Sequence, residues 1–196
     1  MSLYAYRLID PDATPALKNP LCTPGEFRAG MRKLAAAVSI ITADSGGRRN
    51  GLTATAIMSL TAKPPRLVIA INKDASAYAV IVGSGSFCVN VLAAEQVDIA
   101  RRFAGDVKGE ERFALGHWGI LETGSPVLEG AVTNFDCDLS ETVDCGTHAL
   151  LIGLVKRVLV NAQASPLLYA DSQWRRLAEP AADNPTLQTA PTRKTG

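Results

Sequence analysis

Hydroxyl side chains gather in one stretch: Thr53, Thr55, Ser59 and Thr61 alternate with small or apolar residues, among them Ala54, Ala56 and Leu60. Hydroxyls both donate and accept, and small neighbours let a ligand approach the main chain. The stretch therefore suits an anion or the polar edge of a heterocycle. Threonine is also a good strand residue, which is the plainer account of Thr53 and Thr55. His148 opens an apolar run after Gly146-Thr147, with Asp144 close before it. A Ser–His–Asp hydrolase can be drawn from that pair, but no Gly-x-Ser-x-Gly elbow exists to supply the nucleophile. Gly83-Ser84-Gly85 lacks the third glycine of a dinucleotide fingerprint and precedes a strand-like run, and no phosphate-loop motif is present. With two histidines and four cysteines, none in a CxxC, zinc sites of the usual spacing are absent.

The elements that must carry these residues are mostly strands. Thr23-Pro24-Gly25-Glu26 reads as a capping box with proline at the first helical position, opening a helix to about Ala36 with Phe27, Met31 and Leu34 on one face. Val38–Thr42 reads as a strand and Asp44–Gly47 as its turn. Asn50-Gly51 is a further turn signal. A hydroxyl-bearing strand follows, Pro64-Pro65 stops its ladder, and Leu67–Ile71 resumes as an apolar strand. Ser76 is placed to cap a short helix closed by Gly83. Phe87–Leu92 reads as a buried strand, Glu95–Phe103 as a helix, and Asp106–Gly116 as a polar, mobile loop. Ala131–Glu141 and His148–Val160 are two long strands. Leu167–Ala170 and Trp174–Leu177 are short ones. Six or seven strands with two or three short helices, not alternating, predict a mainly β antiparallel barrel of Greek-key type rather than a doubly wound sheet.

A chain of 196 residues fits one domain. We expect an arm over 1–22, the domain over 23–179, and a Pro-, Thr- and Asn-rich tail over 180–196. A net charge of +1 provides no field for nucleic acid or an anionic membrane. No run of about 18 apolar residues is present and the N-terminus lacks a signal pattern, so the expected compartment is the cytoplasm with reduced cysteines.

Gly51-Leu52-Thr53-Ala54-Thr55-Ala56, then Ser59-Leu60-Thr61 and Pro64-Pro65, resembles the flavin-binding segment of the short-chain flavin reductases. Phe87-Cys88-Val89-Asn90-Val91-Leu92, Phe103-Ala104-Gly105, Glu111-Arg112-Phe113, Pro126-Val127-Leu128 and Gly146-Thr147-His148 follow in that family's order. The likeness, from about Phe27 to Leu177, is greatest to the reductase components serving 4-hydroxyphenylacetate hydroxylase and the pyrimidine-utilisation monooxygenase. It implies an FMN-binding split barrel, a homodimer with flavin near the subunit boundary, and NAD(P)H:flavin oxidoreductase activity feeding a separate oxygenase. The flavin is FMN or FAD, and NADH or NADPH the co-substrate. The resemblance nominates Thr53, Ala54, Thr55, Ser59, Leu60, Thr61, Lys73 and Ser76 around the flavin phosphate. Cys88, Val89, Asn90 and Phe103 would lie against the ring, and His148 near the nicotinamide. Alternatives are a prosthetic-flavin oxidoreductase with another acceptor and a non-catalytic flavin-binding protein.

Overall fold

The computed structural model describes residues 21–178. The expected arm, apart from its last two residues, and the expected tail lie outside that range. Strands, in chain order, are β1 (Ala36–Ala37), β2 (Ser39–Ser45), β3 (Arg48–Ala54), β4 (Ile57–Ala62), β5 (Pro65–Asn72), β6 (Ser86–Val91), β7 (Trp118–Ile120), β8 (Pro126–Leu128), β9 (Thr133–Cys145), β10 (His148–Val160), β11 (Leu168–Ala170) and β12 (Gln173–Arg175). The helices are α1 (Pro24–Met31), α2 (Ser76–Ser84) and α3 (Val97–Arg101), which runs on into a π-helical turn at Arg102–Asp106; a 3₁₀ segment follows at Gly109–Ala114.

Seven strands form one antiparallel sheet in the order β3-β2-β6-β9-β10-β5-β4. Its two edges, β3 and β4, are consecutive in the chain and separated only by Thr55-Ala56, yet no ladder joins them. That seam is the split of the barrel. Inside, Ile41, Ile69, Ile71, Phe87, Val89 and Leu151 pack with Ala77 and Ile81 of α2. A second core lies outside the same wall: Val38, Ile40, Leu92, Ile99, Phe103, Phe113, Leu128 and Leu167. Period-2 alternation therefore sends β2 and β6 side chains into two different cores, and both strands are buried on both faces.

Several local expectations change. Asn50-Gly51 is not a turn but the middle of β3. The hairpin turns at Gly46-Gly47, whose φ values of 63° and 83° suit a tight turn between Ser45 and Arg48. Gly51 is needed for a different reason: a Cβ there would stand 2.7 Å from Ile41 O and 2.9 Å from Phe103 Cε1. α1 has the capping box but ends at Met31, and Phe27, Met31 and Leu34 remain exposed. Ser76 is the first helical residue rather than the cap, and α2 closes at Gly85, with φ 69°, instead of Gly83. The 106–116 stretch is not simply a solvated loop, because Arg112 and Phe113 are buried in it. β9 continues to Cys145, so only Gly146-Thr147 separates it from β10. The β7–β8 hairpin was not foreseen.

Candidate functional site

The polar groups nominated from sequence fall into three sets, two of them at opposite ends of β5. At one end the strand finishes in Asn72, whose Oδ1 accepts from Asp74 N at 2.9 Å and whose carbonyl accepts from Ala75 N at 3.0 Å. That turn delivers Lys73 and Ser76 together at the start of α2. β10 begins directly opposite, with His148 paired to Asn72 and Lys73 N donating to Thr147 O at 3.0 Å. Lys73 Nζ lies 2.9 Å from Asp144 Oδ2, and Asp144 Oδ1 accepts from Gly146 N at 2.8 Å. The Lys73 ammonium and the Gly146 N–H hold the Asp144 carboxyl below its ordinary range, and Asp144 in turn raises Lys73. Thr147 Oγ1 sits 2.9 Å from His148 Nδ1. Across the corner, Asn50 Nδ2 donates to Ser76 Oγ at 3.3 Å. This exposed end of the sheet thus carries an ammonium, an imidazole, a hydroxyl and an amide, and a cavity of about 610 Å³ there is lined by Arg48, Arg49, Asn50, Ser76 and Glu110.

At the other end lie Ser59, Leu60 and Thr61, all exposed on β4. Thr61 Oγ1 donates to Pro64 O at 2.6 Å, closing the turn. Ser59 pairs with Leu67, five residues from Asn72 along β5, a separation of about 17 Å at the usual strand rise. One chain does not bring the two sets together.

Between them, Thr53, Ala54 and Thr55 line a cleft of about 300 Å³ with Val38, Tyr169 and Trp174, whose rings stand 5.0 Å apart. Thr53 Oγ1 is already committed, donating to Ala100 O at 2.7 Å, whereas Thr55 is exposed at the seam.

The four residues nominated against a ring are all buried in the single chain. Val89 packs inside the barrel with no exposure. Cys88 faces the other way and is equally buried; burial pushes its thiol well up, and pushes that of Cys137 up to about 12, so neither is a thiolate nucleophile at neutral pH. Asn90 is a structural knot. Its Nδ2 donates to Ile40 O and Thr42 Oγ1, and its Oδ1 accepts from Leu128 N at 2.8 Å and Asn134 Nδ2 at 2.8 Å. Phe103 meets Phe113 edge-on and Trp118 at a tilt, over Gly51. His117 is exposed. Sequence reasoning missed Asn50 and Arg112 as partners, and Tyr169 and Trp174 as a wall; only their place in the family's order marked Arg112. Among the described residues no group of His, Cys, Asp or Glu could hold a metal.

The corner carries donors suited to an anion, and the separate cleft has an aromatic wall suited to a flat ring. The sequence profile of the family described as "Flavin reductase like domain" matches residues 31–178. This chain belongs to that family. Among the reductase's relatives, the FMN reductase (NADH) RutF of Agrobacterium fabrum is 43% identical over 152 residues, which cover 78% of this chain and 87% of the relative. Of solved structures, the NADH:FAD oxidoreductase SgcE6 of Streptomyces globisporus, in complex with NAD and FAD fragments, superposes with a TM-score of 0.76 at 27% identity, covering 84% of this chain and 100% of the other. BorF, the flavin reductase component of a bacterial two-component tryptophan halogenase, gives a TM-score of 0.74 at 26% identity, over 81% and 100%. The seven-stranded antiparallel sheet of the reductase, open at one seam, is the split barrel expected from sequence.

Proposed function

We infer that this protein is an NADH-dependent reductase of FMN whose reduced flavin serves a separate oxygenase. Family membership over residues 31–178 carries the reading, joined to a donor-rich corner beside His148 in a chain without a nucleotide-binding glycine loop. FMN is favoured over FAD because the RutF relative, at 43% identity, is an FMN reductase, whereas the FAD enzyme stands at 27%. Both are NADH enzymes by name, which favours NADH over NADPH.

When bound, the flavin supplies the redox chemistry by accepting hydride from the nicotinamide. The chain's own residues bind and orient. Lys73 and Ser76 hold the phosphate, the Thr53–Thr55 main chain and the Tyr169–Trp174 wall flank the ring, and His148 positions the nicotinamide. No general acid is demanded, so the lack of a paired carboxylate is no obstacle. The working unit is a homodimer: Ser59–Thr61 and Lys73–Ser76 lie too far apart in one chain to meet one phosphate, and a second copy can bring the missing set. The cytoplasm is supported by four cysteines that are all free, two of them buried in the strands β6 and β9.

The test is anaerobic addition of NADH, then NADPH, to the protein with FMN in excess. Multiple turnovers of absorbance bleaching are expected with NADH. Bleaching of one equivalent would instead identify a prosthetic flavin, and no bleaching a binding module.

A further inference from the structure

Arg112 is a buried guanidinium that the proposed chemistry leaves unused. Its Nε donates to Val107 O at 3.0 Å, and its Nη1 to Gly51 O and, at 3.1 Å, to Asn50 Oδ1. Every one of these acceptors is a neutral oxygen. Asn50 Oδ1 also accepts from Gly51 N at 2.8 Å, so the oxygen end of that amide is turned inward by two donors. Its nitrogen end is thereby directed to Ser76 Oγ. A serine hydroxyl that accepts from an amide keeps its own proton to give away. We propose that Arg112 is a positioning residue for the phosphate end of the flavin: through Asn50 it fixes Ser76 as a donor facing the anion.

The sense of the relay matters. Freed from Arg112, the Asn50 amide can turn its oxygen to Ser76, accept the hydroxyl's hydrogen bond and leave only lone pairs toward a phosphate. Burial lowers the Arg112 pKa, yet a guanidinium stays charged at neutral pH, so the inward pull on Oδ1 persists there. The inference rests on Ser76 serving the phosphate.

Riboflavin, which lacks the phosphate, separates this role from a structural one. The full-length protein is titrated with FMN and with riboflavin, following quenching of flavin fluorescence. Asn50→Ala and Arg112→Met are expected to raise the Kd for FMN about tenfold, the effect of losing one charge-assisted hydrogen bond, with the riboflavin Kd changed by less than about twofold. Asn50→Ala leaves Arg112 its charge and its bonds to Gly51 and Val107, so it still decides the matter if Arg112→Met does not fold. Ser76→Ala should match it, and the double variant should lose no more than either single one. Equal weakening of FMN and riboflavin, or additive losses from Asn50→Ala and Ser76→Ala, overturns the relay. An unchanged FMN-to-riboflavin ratio in Ser76→Ala alone overturns the phosphate reading first, and the relay with it.

Discussion

Thr147 Oγ1, 2.9 Å from His148 Nδ1, sets which way the imidazole turns and leaves Nε2 as the nitrogen free to meet a ligand. His148→Ala should lower kcat/KM for NADH about ten- to a hundredfold, because hydride transfer depends steeply on approach geometry. The FMN Kd should stay within about twofold. Stopped-flow flavin reduction at matched flavin occupancy checks this, and equal rates in variant and wild type would return His148 to a structural role. The neighbouring Lys73–Asp144 pair gives a pH signature. Asp144 is held below its ordinary value of 3.8 in the folded chain, so its contribution to the β9–β10 turn is present above that value and is lost as pH falls through the folded pKa. Lys73 is raised above 10.5, so its contribution is present below that value and is lost as pH rises through the raised one. Carboxyl NMR should find Asp144 titrating below 3.8, moving up in Lys73→Met; no movement would show that the ammonium is not the cause.

Gly153 shows how a single missing side chain shapes an element. A Cβ there would stand 2.6 Å from Phe87 Cζ and 2.9 Å from Cys137 Cβ, at the bulge where β10 shifts register against β9. Gly153→Ala should therefore destabilise the fold by about 1–3 kcal/mol through overpacking. A urea transition at an unchanged midpoint would show that Phe87 yields freely. The long strands could be read in sequence because apolar runs and turn residues are local signals. Asn50-Gly51 misled because a sequence favourable for a turn is also one that lets another chain segment approach closely, and here Phe103 does so. The Gly109–Ala114 segment was hidden for a related reason. The charges of Glu110, Glu111 and Arg112 look solvated along the chain, but Arg112 finds its carbonyl partner on β3, 61 residues earlier. The burial of Cys88 and Asn90 is not legible in the sequence, because alternation tells which residues share a face, not that a second core covers the outer one.

At the scale of the molecule, apolar side chains remain uncovered along one margin: Met58 at 59%, Ile120 at 71% and Val160 at 75% exposure, with Leu60, Val158 and Leu159. For the proposed dimer, that margin is the face we expect a second copy to cover. Val160→Asp should shift the sedimentation coefficient toward a monomer and weaken FMN binding together. A monomeric wild type at micromolar concentration with flavin fully bound would defeat the dimer. The double burial of β2 has a separate consequence for how the enzyme can change. Ser39–Ala43 is a party wall between two rooms, so a residue swapped on either side disturbs a packed interior, and the usual alternation of tolerant and intolerant positions along a strand vanishes there. On β4, every residue from Met58 to Ala62 is exposed in the single chain, and none of them is packed into either of its two cores. Altered flavin preference should therefore be reached by varying the open edge of the seam, while the wall that holds the other edge stays fixed.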